Sequence, residues 1–133
     1  MSVFVPLGSL SALLGVALGA FGAHILKARI SPDLFAVYQT AVLYHLVHAL
    51  GLILVGLLCQ VHPGNRLLPR AGWTLLAGTA LFSGSLYLLA MTGVRWLGAI
   101  TPLGGVAFLA GWGLVAAAAL VTRGAPQAPG GKS

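Results

Sequence analysis

The sequence predicts an all-α fold, an up-down bundle of four helices that is embedded in a membrane. Charged residues make up 6% of the 133 residues, and only one of them is acidic, whereas roughly a quarter of the residues of a soluble domain are charged. The mean hydropathy is +1.00. Four apolar stretches, each long enough to cross a hydrocarbon core of about 30 Å at about 1.5 Å per residue, lie at residues 3–26, 34–60, 71–92 and 102–122.

Each predicted span begins at a recognisable start. Pro6 falls in the first turns of span one, where its missing N–H costs little. Span two follows Ser31–Asp33, which supplies a hydroxyl cap, a proline at the first helical position and an acid in the first turn. Span three follows the turn residues Pro63–Asn65, and Thr101–Pro102 repeats the cap and proline before span four. Because these connections are short, sequential spans are expected to be antiparallel.

Little of the chain lies outside the four spans. Residues 1–123 are predicted to form one transmembrane domain, and residues 124–133, rich in Gly and Pro, a flexible C-terminal tail. Cys59 is the only cysteine, so an intrachain disulfide is excluded. The cations are dispersed at the span ends, which predicts a lipid bilayer as partner and argues against nucleic acid. They are Lys27, Arg29, Arg66, Arg70, Arg95, Arg123 and Lys132.

The distribution of these cations predicts that both termini are cytoplasmic. In that orientation the inside carries Arg66, Arg70, Arg123 and Lys132, against three cations outside, and cytoplasmic loops carry the excess of Lys and Arg in membrane proteins.

Small residues at helical spacing indicate faces for close helix packing. Span one contains a literal G-x-x-x-G, and such faces let helix backbones approach closely in lipid. We therefore expect the protein to act by helix packing and association in the membrane, either with itself or as an accessory subunit of a larger complex. The predicted packing residues are Gly15, Gly19, Gly22, Gly84, Gly104, Gly105 and Gly111.

Polar side chains recur within spans two and three. Thr40, Tyr44 and His48 form one stripe at a spacing of four residues, and Ser83 and Tyr87 belong to a second. Because lipid cannot satisfy their hydrogen bonds, both stripes are expected to face the bundle interior. They suggest an alternative function, a polar site for a small molecule, an ion or a proton. Its candidate residues are His24, Gln39, Tyr44, His48, Ser83, Ser85, Tyr87 and Thr101.

His45 and His48 form an H-x-x-H pair, which leaves a haem or metal subunit as a further alternative. No carboxylate or thiolate completes a ligand set near them, so no metal or cofactor is predicted. Transporters usually place an ionisable carboxylate or a broken helix at mid-span, and neither is present. An enzyme is not expected, because the chain has no Ser/His/Asp set, no second carboxylate and no phosphate loop.

Four blocks of the sequence together resemble a known family, the YgdD/YwdK-like small four-span membrane proteins, catalogued as a domain of unknown function. The blocks are Gly19–Lys27 (GAFGAHILK), Gln39–Leu50 (QTAVLYHLVHAL), Phe82–Tyr87 (FSGSLY) and Thr101–Trp112 (TPLGGVAFLAGW). The resemblance extends over all four spans in order. It implies an integral helical protein of the bacterial plasma membrane and implies no activity.

The resemblance also marks individual positions. Members of the family often show Y-Q-x-x-H where this chain has Tyr44, His45 and His48. The H-x-x-H pair would then be peculiar to this chain, which favours His24 and His48 over His45 as functional candidates. The marked positions are Gly19, Gly22, His24, Gln39, Tyr44, His48, Ser83, Gly84, Ser85, Tyr87, Thr101, Pro102, Gly104 and Gly105.

Overall fold

Four long helices account for most of the described chain. A computed structural model describes residues 2–123, and the tail expected at 124–133 lies outside these residues. No strand occurs between residues 2 and 123, and two short 3₁₀ helices, Leu26–Ala28 and Arg95–Ala99, lie in the first and third connections. The helices are α1 (Phe4–His24), α2 (Pro32–Val61), α3 (Leu67–Thr92) and α4 (Thr101–Arg123).

All four helices are long and apolar enough to cross a membrane. Exposed Leu, Val, Ile, Met and aromatic side chains occupy much of their outer faces, as a hydrocarbon environment requires. The predicted fold class, an all-α integral membrane protein with four helices, is therefore confirmed.

The helix ends follow local chemistry. The Ser31 side chain accepts a hydrogen bond from the Leu34 N–H at 3.4 Å, and Pro32 is the first residue of α2. Helix α3 begins at Leu67, four residues before the predicted 71, and Asn65 Oδ1 accepts the Leu67 N–H at 3.0 Å. Pro69 is tolerated there because the first-turn N–H groups have no partner within the helix.

Helices α2 and α3 form the centre of the bundle. Of the most apolar part of each helix, 39% of residues are buried in α2 and 44% in α3, against 17% in α1 and 22% in α4. Helix α1 packs mainly on α2, and α4 packs mainly on α3. The apolar core has two clusters. One contains Leu26, Tyr38, Ala41, Leu86, Tyr87 and Ala90, and the other contains Phe4, Leu52, Val55, Leu75 and Phe108.

Most of the predicted packing glycines serve contacts within the chain. A Cβ added at Gly15 would come within 2.7 Å of Leu46 Cδ2 on α2, and a Cβ at Gly111 within 2.5 Å of Leu75 Cδ2 on α3. Gly19, Gly22 and Gly104 likewise face a neighbouring helix. The glycine stripe on α1 therefore packs against α2 and is not free for another protein.

Candidate functional site

The most connected polar group in the bundle is the imidazole of His45. Its Nδ1 shares a hydrogen bond with the Tyr87 hydroxyl at 3.0 Å, and its Nε2 shares one with the Ser11 hydroxyl at 3.0 Å. A hydroxyl can donate or accept, so both neutral tautomers of His45 satisfy both bonds. The three residues link α1, α2 and α3, and only 5% of the His45 surface is exposed.

His48 forms a separate connection, between α2 and α4. The Trp112 Nε1–H donates to His48 Nε2 at 3.2 Å. Because an indole N–H can only donate, Nε2 must be the acceptor, and Nδ1 carries the proton that it donates to the Tyr44 carbonyl at 2.7 Å. The ring also stacks on Phe108, with 3.4 Å between centroids and 11° between planes. The geometry thus fixes a single neutral tautomer of His48.

Other buried hydroxyls also bind within the chain. Ser83 Oγ donates to the Ala41 carbonyl at 2.8 Å and joins α3 to α2. Ser85 and Thr101 share a hydrogen bond of 2.8 Å that joins α3 to the start of α4. Among the described residues, no buried side-chain nitrogen or oxygen lacks a partner. The interior therefore has no unpaired polar group with which a ligand could bind.

The structure does not bring all the candidate residues together. His24 and Gln39 are exposed near the end of α1 and the start of α2. His48 binds α4, Ser83 binds the α2 backbone, Tyr87 binds His45, and Ser85 and Thr101 bind each other. Ser83 and Tyr87 line a common groove together with His45, and the rest of the predicted set is dispersed over separate interhelical contacts.

The expectation that Thr40 and Tyr44 face the interior is wrong. Thr40 is exposed, and 39% of Tyr44 is exposed. A spacing of four residues advances about 40° around a helix with 3.6 residues per turn, so a stripe that begins outside reaches the interior only at His48. The Thr40 hydroxyl donates to the Ala36 carbonyl at 3.1 Å, which satisfies it on a lipid-facing surface.

Sequence reasoning missed Ser11 and Trp112 and ranked His45 below His48. The sequence does contain a signal for Trp112, because Phe108 and Trp112 lie four residues apart and so form an aromatic pair on one face of α4. In the structure both residues contact the His48 ring. The family resemblance argues against a functional role for His45, because members of the family often have glutamine at this position.

The metal alternative gains no support from this geometry. Between residues 2 and 123 no three His, Cys, Asp or Glu side chains lie close enough to hold a metal ion. In His48 the nitrogen opposite the Nδ1–H group, which a metal would use, already accepts the Trp112 N–H.

Comparisons with known proteins agree with the membrane fold. The profile of the family described as "Protein of unknown function (DUF423)" matches residues 18–105. The chain belongs to this family. UPF0382 membrane protein YwdK of Bacillus subtilis is 50% identical over 120 residues, which are 90% of this chain and 98% of YwdK. UPF0382 membrane protein SERP0230 of Staphylococcus epidermidis is 45% identical over 124 residues, 93% of this chain and 100% of the relative.

The family membership confirms the resemblance seen in the sequence and the bilayer as the surroundings of the chain. No solved structure matches. The family description and the relatives' names give a membrane location and no activity, so the function has to be argued from the geometry of this chain.

Proposed function

We propose that the protein acts by association in the bilayer, as a rigid four-helix unit that pairs with a second copy of itself through the outer face of α3. The observation that carries the proposal is the open space at Gly84, where an added Cβ would meet no atom within 4 Å. Small residues on the surface of a membrane helix let the backbone of another helix approach closely. Within the chain nothing approaches Gly84.

The neighbours of Gly84 on the helix surface suit close approach by another helix. Ala80 lies one turn and Ala77 two turns before it on the same side of α3, and both alanines are exposed. Larger side chains, Trp73 on one side and Leu88 on the other, flank this small-residue segment and are 54% and 51% exposed. We call Ala77, Ala80 and Gly84 the α3 small patch.

A two-fold axis through the α3 small patch would place small residues against small residues. Symmetric dimers use the same patch on both subunits. Two copies of α3 that cross at the patch would be closest at its small residues and would diverge toward its ends, where the larger residues fill the space. A groove of about 260 Å³ runs beside it, between Leu14 and Leu18 of α1 and Ala80 and Gly84 of α3. The groove gives room for side chains of the partner helix.

Gly113 of α4 also has open space around it and serves as the matched comparison. Leu109 and Leu120 lie on the same exposed face and are 76% and 69% exposed. Their bulk would hold another helix away from Gly113. Substitutions at Gly84 and Gly113 can therefore be compared to distinguish a docking face from an ordinary lipid-facing one.

The pairing of every buried side-chain nitrogen and oxygen among the described residues supports association over the alternatives. The Ser83 and Ser85 hydroxyls bind a carbonyl and another hydroxyl, and neither contacts a base that could activate it. We infer that the chain is not an enzyme. A polar site around His24 and His48 is disfavoured, since His24 is exposed and His48 is fully bonded.

The proposal places the protein in the bacterial plasma membrane with both termini in the cytoplasm. The relatives are named membrane proteins of bacteria. Arg66 and Arg70 lie at the α2–α3 turn, on the same side as the N-terminus and the end of α4, which matches the excess of cations on the cytoplasmic side.

Energy transfer between labelled copies in liposomes of increasing lipid-to-protein ratio tests the proposal. We expect transfer for the natural chain and a dimer affinity about tenfold lower in Gly84→Leu, which corresponds to about 1.4 kcal/mol, within the range of helix contacts in membranes. Gly113→Leu should leave the affinity unchanged. Equal loss in both variants, or no transfer in the natural chain, would contradict self-association. Recovery of a larger complex by mild-detergent purification would then favour an accessory subunit.

A further inference from the structure

A cleft opens at the end of the bundle where α2 and α4 end and α3 begins. Its inner part is a cavity of about 340 Å³ lined by Leu58, Leu68, Val115, Ala118 and Ala119. His62, Asn65 and Thr122 line this cavity and also an outer part of about 630 Å³, which Arg66 lines as well. We call the two connected parts the interfacial cleft.

The cleft changes character with depth. Val115, Ala118, Ala119 and Thr122 occupy one face of α4 at helical spacing, so this wall extends about 10 Å along the helix at about 1.5 Å per residue. The deep part is apolar, and the mouth has the His62 imidazole and the Arg66 guanidinium. An amphiphile with a hydrocarbon chain and a polar head matches this order.

Asn65 holds the mouth of the cleft in place. Its Nδ2 donates to the Ala118 carbonyl at 3.1 Å, and its Oδ1 accepts the Leu67 N–H at 3.0 Å. The amide thereby fastens the α2–α3 turn to α4 across the cleft. The shape of the cleft is thus set by a specific polar contact and not by packing of the turn alone.

The positive charge at the mouth of the cleft favours a lipid with an anionic head group. Arg66 lies at the mouth and Arg70 follows one turn later on α3. The only acidic side chain of the chain, Asp33, lies in the first turn of α2, at the opposite end of the bundle. Between residues 2 and 123 no carboxylate side chain lies near Arg66, and a cation at a membrane surface attracts anionic lipid.

We propose that the interfacial cleft binds one anionic phospholipid, with an acyl chain in the inner cavity and the phosphate at Arg66 and His62. The cavity volume falls within the range of about 300–1,000 Å³ typical of ligand pockets. The site is separate from the α3 small patch, so lipid binding and self-association can succeed or fail independently.

Native mass spectrometry of the protein released from nanodiscs tests the lipid site. The nanodiscs contain equal amounts of dioleoyl phosphatidylglycerol and dioleoyl phosphatidylcholine. We expect one retained phosphatidylglycerol per natural chain. Arg66→Gln should lower the ratio of retained phosphatidylglycerol to phosphatidylcholine about fivefold, the effect of about one cation near a charged surface. Arg95→Gln, the same change in the third connection, should leave that ratio unchanged.

Filling the cavity tests the position of the acyl chain. Ala119→Phe should abolish retention of both lipids, and Ala119→Leu should reduce it, so that the smaller change remains informative if the larger one misfolds. Ala110→Phe, on an exposed face of α4, is the matched control. Retention by Ala119→Leu equal to that of the natural chain, or equal effects of Arg66→Gln and Arg95→Gln, would overturn the proposal.

Two further outcomes would also overturn the lipid site. Displacement of the lipid by glycerol phosphate alone would show that the cleft recognises a free phosphate head and not a phospholipid. Loss of a dimer in Ala119→Leu, with no loss of lipid, would show that a second copy occupies the cleft.

Discussion

Replacement of Gly104 by alanine should loosen the packing of α4 on α3. A Cβ at Gly104 would lie within 2.7 Å of Phe82 Cα, a contact with backbone that cannot rotate away. Overpacking of this kind costs about 1–3 kcal/mol, and we expect about 2–3 kcal/mol here because the helices themselves must separate. Alanine regains about 1 kcal/mol through its higher helix propensity. The net loss in the free energy of unfolding should be about 1–2 kcal/mol.

The adjacent Gly105 provides the control for this prediction. A Cβ there would lie 4.0 Å from Phe82 Cδ2, an ordinary contact, so Gly105→Ala keeps the propensity gain without the clash. Unfolding by titration with sodium dodecyl sulfate, followed by circular dichroism, measures both variants. The difference between them should be about 2–3 kcal/mol, and propensity cancels in it. Equal stabilities would refute the close α3–α4 contact at Gly104.

Two substitutions test the interhelical hydrogen bonds by the same unfolding titration. His45→Ala removes a ring that links three helices and leaves both of its hydroxyl partners unpaired, so it should cost about 2–4 kcal/mol. His24→Ala, on an exposed residue, should stay within about 0.5 kcal/mol, and a larger loss there would contradict its surface position. Trp112→Phe leaves the Nε2 atom of His48 without a donor and should cost about 1 kcal/mol. Trp96→Phe, in the exposed third connection, should be neutral; equal losses in the two tryptophan variants would argue against the indole–imidazole bond.

The sequence predicted the features of the fold that depend on local chemistry. Ser31 and Pro32 mark the start of α2 because a cap and a fixed φ act within one turn. The predicted end of span three at residue 92 coincides with the end of α3 at Thr92, after which Gly93 adopts a φ of 71° and its N–H donates to the Leu89 carbonyl. The predicted start of span three at residue 71 is four residues late because it leaves Pro69 outside the helix, although a proline is tolerated within the first turn.

The interior could be predicted only in part, because it depends on how each helix is rotated. The inward positions of α2 include Tyr38, Ala41, His45, Leu52 and Val55, a repeat of three and four residues. A stripe at a constant spacing of four leaves that face within two turns. Spacing alone therefore predicts both Tyr44 and His45 on the inward face, and only the packed structure shows that His45 is buried while Tyr44 is 39% exposed.

The partners of the buried histidines were beyond prediction from the sequence for a different reason. His45 contacts Ser11 and Tyr87, which are 34 and 42 residues away along the chain. Trp112 lies 64 residues from His48. Such pairs depend on the relative depth of antiparallel helices, and the hydropathy pattern fixes depth only to within about a turn.

Disulfide cross-linking at the α3 small patch is the most direct measurement of whether a second copy docks there. Gly84→Cys in a Cys59→Ser background should form a cross-linked dimer in native membranes, because a disulfide requires Cα atoms about 4.4–6.8 Å apart, a distance that only a close helix crossing provides. Leu103→Cys, on an exposed face of α4, should stay monomeric under the same oxidation. Cross-linking at Leu103→Cys with none at Gly84→Cys would contradict association through α3.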